Sequence, residues 1–198
     1  MNEEHYWTQR YQDGSTGWDI GYPSKPLKTY IDQLEDKNLR ILIPGAGNAY
    51  EAAYLFEQGF TQVFVMDISK TPLESFQKRY PNFPKNQLLQ EDFFTHEGSY
   101  DLIFEQTFFC SFLPTESNRL NYVNKMSQLL KPGGKLVGLW FDIPLLEGQQ
   151  NRPFGGNKEL YLSYLKPCFE VKFFDRAENS IAERMGQELF GIFQKLNE

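Results

Sequence analysis

The stretch ILIPGAGNAYEAAYLFEQGF, Ile41 to Phe60, runs from an apolar segment through glycines into a helix-forming segment. ILIP reads as a short strand closed by Pro44, and AYEAAYLFEQG reads as a helix with its stop at Gly59. Strand, glycine loop and helix in that order suggest a dinucleotide loop. In its GxGxxG pattern two glycines allow a tight turn and close backbone approach to pyrophosphate, and the third lets the helix pack on the strand. Gly45 and Gly47 fill the first two places, but Tyr50 stands at the third. The loop also lacks a Lys followed by Ser or Thr, which excludes a nucleoside-triphosphate loop. Pyrophosphate is disfavoured on both counts.

Working outward, QVFVMD is a second strand ending in an acid, and TPLESFQKRY a helix with Thr71 as cap and Pro72 at its first position. NQLLQED and YDLIFEQ are further apolar runs that end in carboxylates. Leu120, Val123, Met126 and Leu130 recur at helical spacing, marking a helix from Glu116 that KPGG terminates, and KLVGLWF supplies a fifth strand. Alternating strands and helices imply a doubly wound α/β fold with a mostly parallel sheet, whose ligands bind at the carboxyl ends of the strands. CFEVKFFD and ERMGQELFGIFQKL suit an antiparallel hairpin at the sheet edge, although the second could also form a helix broken by glycines.

Asp67 ends the second strand, 20 residues past Gly47, where an acid accepts both hydroxyls of a ribose. A ligand with a ribose, no phosphate and tolerance of an acidic pocket meets these conditions. S-adenosyl-L-methionine, a cationic sulfonium, is such a ligand. Asp92 in EDFF is placed to accept from the adenine amine and Phe93 to stack on its ring.

Composition sets the outer limits. The 198 residues suit one domain, spanning 1–198, and a formal charge of −6 opposes binding to nucleic acid. Cys110 and Cys168 are too few and too far apart for a disulfide framework or a zinc motif, and no metal is expected. MNEEHYWTQR lacks the apolar run of a signal peptide, and the longest apolar stretch, Leu136 to Leu146, is broken by Asp142 and Pro144. A soluble cytoplasmic protein with no membrane partner is expected; no oligomeric state is fixed, and a monomer is compatible with the sequence. Aromatic residues make up 16% of the chain, part of them in segments that do not read as core.

PGAGNAYEA, VMDIS, YDLIFEQTFFCSFLPTESNRLNYVNKMSQLLKPGGKL and IAERMGQELFGIF together resemble class I S-adenosylmethionine-dependent methyltransferases. The chain is most similar to the thiopurine S-methyltransferase family, in particular to its thiol and halide methyltransferase branch, from YWTQRYQDGSTGWDIG onward. The resemblance implies that residues 1–25 form an arm over the cofactor, to which Trp7, Tyr11 and Trp18 belong. It places Gly45 and Gly47 at the methionine half, Asp67 at the ribose, Asp92 and Phe93 at adenine, and Gln106 just past the fourth strand. Indole faces attract a desolvated cation by roughly 1 to 2 kcal/mol, in keeping with that arm. Thiopurine-methylating members carry Arg where Gln106 stands, and a longer cofactor loop with a Cys and a Lys, which argues against thiopurines as the acceptor.

Methyl transfer from a sulfonium is an in-line displacement that needs alignment and a dry site rather than a nucleophilic side chain. No GxSxG elbow is present, and His5 and His96 read as surface and loop residues, so no catalytic side chain is expected. Cys110 reads as a small hydrophobe. The acceptor is expected to be a small molecule, a thiol or related soft anion such as hydrosulfide, thiocyanate, a halide or an aromatic thiol, walled by Tyr22, Phe109, Trp140 and Phe154. The rival readings are a nicotinamide-dependent oxidoreductase, opposed by Tyr50, and a cofactor-binding protein without catalysis.

Overall fold

The computed structural model describes residues 2–196; Met1, Asn197 and Glu198, part of the expected domain span, lie outside the described residues. Five parallel strands form the body of one sheet: β1 (Ile41–Pro44), β2 (Val63–Asp67), β3 (Leu88–Gln90), β4 (Tyr100–Gln106) and β5 (Leu130–Phe141). Two antiparallel strands complete it, β6 (Phe169–Arg176) and β7 (Glu188–Lys195), in the order β3-β2-β1-β4-β5-β7-β6. The C-terminal segment that could be strand or broken helix is therefore strand, and β7 lies inside β6. Chain direction away from β1 reverses between β1 and β4, the switch point where doubly wound sheets open a crevice.

Period-two alternation sends the sheet's side chains to two cores. Ile41, Ile43, Val63, Val65 and Phe104 pack on one face with α2 (Lys25–Ile31), α3 (Tyr50–Glu57) and α4 (Lys70–Arg79). Leu42, Met66, Ile103, Leu136 and Trp140 pack on the other with α5 (Glu116–Leu129) and α6 (Lys158–Leu165). The remaining helix, α1 (Glu3–Gln12), buries none of its residues and packs along α4. Among the described residues no helix is long and apolar enough to cross a membrane.

Three local expectations change. The cap of α4 is Ser69, whose hydroxyl accepts from Thr71 N, so Pro72 sits third in the helix; that position is tolerated because first-turn N–H groups lack intrahelical partners. Leu120 is exposed, and α5 instead turns Arg119, Tyr122, Val123, Met126 and Leu129 inward. Arg119 is satisfied there by Gly155 O at 3.2 Å. Leu130 already belongs to β5, so KPGG lies within an irregular strand start beside β4 rather than in a helix stop.

Candidate active site

A cavity of about 800 Å3 opens at the carboxyl ends of the parallel strands, across the switch point. Its size is in the upper part of the roughly 300–1,000 Å3 range of small-molecule sites. Trp7, Tyr11, Trp18, Gly45, Asp67, Asp92 and Phe93 all contribute to its wall.

The glycine loop is a backbone device. Gly45 has a φ of +57°, and a Cβ built on it would lie 2.1 Å from a ring carbon of Phe108, so the loop and the segment after β4 approach as closely as they do only because no side chain intervenes. Gly47 also has positive φ, and its N–H donates to Asp67 Oδ2 at 3.0 Å. Ser69 N donates to Oδ1 at 2.8 Å. Asp67 is buried, and that burial raises its pKa to about 6 against the pull of the two N–H groups. Each oxygen keeps a lone pair for a ligand hydroxyl. Gly47 itself does not line the cavity; a Cβ on it would meet the Tyr11 hydroxyl at 2.9 Å.

Tyr50, the residue that breaks the dinucleotide pattern, has a structural task. Its hydroxyl donates to Asp19 Oδ2 at 3.2 Å, the same carboxylate receives Asn48 Nδ2, and the Arg79 guanidinium lies 5.2 Å from the Tyr50 ring centre. A third glycine would let the helix pack closely on the strand; the tyrosine instead fastens the segment after α1 to the loop.

Trp18 meets Trp7 and Tyr11 edge-to-face at 5.4 and 5.7 Å, and burial drives the Tyr11 hydroxyl far above its ordinary pKa. It is a neutral phenol at physiological pH. Phe93 packs edge-on against Phe108 at 5.2 Å, while Asp92 is exposed and caps its own turn by accepting from Phe94 N at 2.9 Å.

The expected acceptor wall is displaced by single residues. Phe109, Trp140 and Phe154 are buried in the core, and Tyr22 is 47% exposed outside the cavity. Phe108, Phe141 and Pro153 line it instead, each next in sequence to an expected residue. The reason is direction: Trp140 points into the core against Phe174 and Phe193, so its strand neighbour Phe141 faces the ligand side. Phe109 packs on Tyr122 and Tyr161 at 4.9 and 5.3 Å. Gln106 is off the wall too; its amide nitrogen is placed to donate to Glu51 Oε1 at 2.7 Å, next to the Ser24 N–H on the same oxygen.

Polar residues that composition did not single out complete the wall. Arg152 and Arg184 come from the β5–α6 and β6–β7 connections, Ser111 from the β4–α5 connection and Asn118 from the first turn of α5. Arg184 Nη2 donates to Trp18 O at 2.6 Å and Nη1 to Glu188 at 3.3 Å, so it ties the N-terminal segment to β7. Glu105, at the end of β4, accepts from Phe108 N and Phe109 N at 2.7 and 3.0 Å and holds the turn that carries Phe108. Full burial raises its carboxyl to about 8. Cys110 is buried and its thiol is pushed well above the usual range, which keeps it protonated. His96 is buried with both ring nitrogens bonded, to Glu91 at 2.6 Å and Tyr100 at 2.8 Å, and His5 is exposed; neither lines the cavity.

The family model for thiopurine S-methyltransferase matches residues 2–197 of this chain. The chain belongs to the thiopurine S-methyltransferase family. Family relatives include a probable thiol methyltransferase 2 of Arabidopsis thaliana, 33% identical over 98% of this chain and 86% of the relative. A thiocyanate methyltransferase 1 of Brassica oleracea is 31% identical over 98% and 87%. The fold is shared with the Burkholderia thailandensis 1,6-didemethyltoxoflavin-N1-methyltransferase, solved with S-adenosylhomocysteine, at a TM-score of 0.71, 16% identity and coverage of 100% and 92%. Family membership makes this chain an S-adenosylmethionine-dependent methyltransferase.

The residues present fit that cofactor: a glycine loop with no Lys or Arg of its own, a buried carboxylate with spare lone pairs, and the aromatic cluster of Trp7, Tyr11 and Trp18 on the cavity wall.

Proposed function

We propose that the enzyme methylates a soft anion, a thiolate or a related species such as hydrosulfide, thiocyanate or a halide, inside this cavity. The carrying observation is the makeup of the wall beyond β4 and β5. It holds two guanidiniums, each already paired with a carboxylate, and several aromatic rings, its thiol stays protonated, and neither histidine reaches it. Such a wall strips water from a polarisable acceptor, and it has no imidazole to take a proton from a neutral one. A thiolate or halide needs none.

When bound, S-adenosylmethionine supplies the methyl group: the acceptor's lone pair forms the new bond to carbon as the carbon–sulfonium bond breaks and its electron pair neutralises the cofactor sulfur. The chain's own residues align and dry the site. Gly45 gives the methionine half close backbone approach, and Gly47 acts through its N–H to Asp67. Asp67 takes the ribose hydroxyls, and Phe93 and Asp92 border the adenine. Trp7, Tyr11 and Trp18 cover the sulfonium, so residues 1–25 serve as the arm over the cofactor within one domain. The acidic charge and the absence of a membrane-crossing helix among the described residues support work on a small molecule in the cytoplasm, apart from nucleic acid.

The test is methyl transfer from labelled S-adenosylmethionine to hydrosulfide, thiocyanate, iodide, benzenethiol and a thiopurine, with calorimetry against S-adenosylhomocysteine and NAD. Methylation of at least one soft anion is expected. Binding of NAD without S-adenosylhomocysteine, or cofactor binding with no acceptor methylated, overturns the proposal.

A further inference from the structure

Arg152 touches three of the segments that enclose the cavity. Its own segment is the connection between β5 and α6. Its Nε donates to Ser111 O in the turn after β4, and its Nη2 donates to both carboxylate oxygens of Glu3 on α1, at 2.8 and 3.0 Å. Its Cζ lies 4.5 Å from the Tyr6 ring centre and 5.3 Å from that of Trp7. Only 17% of the Arg152 side chain is exposed, against 50% of Glu3, so the pair is sheltered on the arginine side and open on the carboxylate side. The same connection is tied to the turn after β4 a second time, by Phe154 N to Cys110 O at 2.9 Å.

The helix that Arg152 grips has no core of its own. α1 buries no residue, and apart from bonds to the segment that follows it, its other polar ties run to the opposite half of the site: Thr8 to Ser69 at 2.8 Å and Glu4 to Gln90 at 3.3 Å. Ser69 and Gln90 lie at the carboxyl ends of β2 and β3, beside Asp67 and Asp92. α1 thus spans from the strand ends that hold the nucleoside to the connections that wall the acceptor, and Arg152 is its attachment on the acceptor side.

We propose that Arg152 is a positioning residue that couples the two ligands: it binds the acceptor-side connections to α1, so that ordering of α1 over the cofactor also orders the acceptor wall. This rests on the methyltransferase reading above. Coupling between two sites is reciprocal, so each ligand then raises the affinity for the other. Glu3 and Arg152 carry the link, and each loses its effect without the other.

The experiment measures the Kd of S-adenosylhomocysteine by calorimetry, alone and with a saturating amount of whichever acceptor among hydrosulfide, thiocyanate, iodide and benzenethiol is methylated fastest. This pair of ligands cannot react. The wild-type chain is expected to bind S-adenosylhomocysteine about fivefold or more tightly with the acceptor present, the lower end of ordinary couplings. Arg152→Met and Glu3→Gln are each expected to bring that ratio below about twofold, and the double variant to lie no lower. Arg152→Lys, which keeps the charge but not the fork, is expected to restore part of the ratio. In turnover, Arg152→Met is expected to raise the acceptor KM more than the KM for S-adenosylmethionine. A wild-type ratio near one, or one that survives in Arg152→Met, overturns the proposal and leaves the methyltransferase reading standing. A variant that loses affinity for both ligands with its ratio unchanged overturns it as well, since that marks a merely structural role. A wild-type chain that binds no S-adenosylhomocysteine, or methylates none of the acceptors, overturns the methyltransferase reading itself.

Discussion

The two halves of the cavity are built differently. At the ends of β1 and β2 the work is done by neighbours in sequence: Gly45, Gly47, Asp67 and Ser69 lie on two strand–helix units, and the bonds among them run through backbone N–H groups. At the ends of β4, β5 and β7 the wall is assembled by side chains from connections far apart in the chain. Arg152 stands 41 residues from Ser111 and 149 from Glu3, and Arg184 stands 166 from Trp18. A backbone-built half tolerates little change because its atoms belong to the main chain. A side-chain-built half can be refitted to another acceptor by exchanging one connection, which suits a family whose relatives bear the names of different substrates.

The strongest way to break this contrast is at Asp67. Asp67→Ala removes the ligand's acceptor and strands two buried N–H groups, so the Kd for S-adenosylhomocysteine is expected to rise about 100-fold, some 2.7 kcal/mol by calorimetry. An unchanged Kd would falsify the ribose assignment. The same carboxyl, raised to about 6, is expected to make wild-type affinity fall as the pH drops through that value, because the protonated acid accepts hydrogen bonds less well.

Gly45→Ala probes the seam between the halves. The new methyl meets the Phe108 ring in a backbone conformation that costs a non-glycine residue about 1–2 kcal/mol. A loss of roughly tenfold in cofactor affinity and a raised acceptor KM are expected together; a change in only one of them would mean that the halves are independent there.

A smaller effect is expected from Glu105→Gln. The folded pKa of Glu105, about 8, lies above an ordinary value near 4.3, so between these the folded chain keeps a proton that the unfolded chain has lost. Its stabilising contribution is fully present below about pH 4 and is lost as the pH rises through about 8. The wild-type Tm is therefore expected to fall between pH 6 and pH 9. Glutamine keeps an acceptor for Phe108 N and Phe109 N and has nothing to ionise, so the variant's fall should be shallower, and an equal fall would remove Glu105 as its source.

Tyr22→Ala should change least. It lies exposed outside the cavity, and kcat/KM for every acceptor is expected to stay within about twofold; a larger loss would extend the acceptor wall beyond its present border.

The same contrast explains what could be read from sequence. The alternation of strands and helices, the glycine loop and Asp67 depend on short-range spacing and on strand ends, and these are written in consecutive residues. The acceptor wall depends on which side of a strand or turn a ring faces. Composition shows that FF and WF dipeptides are present, but a shift of one residue sends a strand side chain to the other face. Phe108 against Phe109 and Phe141 against Trp140 were decided by how Tyr122, Tyr161, Phe174 and Phe193 fill the core. Arg152 left no local signal, because its partners Ser111 and Glu3 stand 41 and 149 residues away.

The placement of β7 bears on how the chain is made. β6 is synthesised first, yet it joins the sheet only through β7, which pairs with β5 on one side and β6 on the other. Until residues 188–195 leave the ribosome, β5 keeps an open edge and β6 is an unpaired segment carrying Phe169, Phe173 and Phe174. Both invite association with other nascent chains. The insertion of a single late strand closes that interval, so a substitution that hinders β7, such as one at Gly191, where a Cβ would meet Phe193 and Trp140, should lower soluble yield together with folded stability.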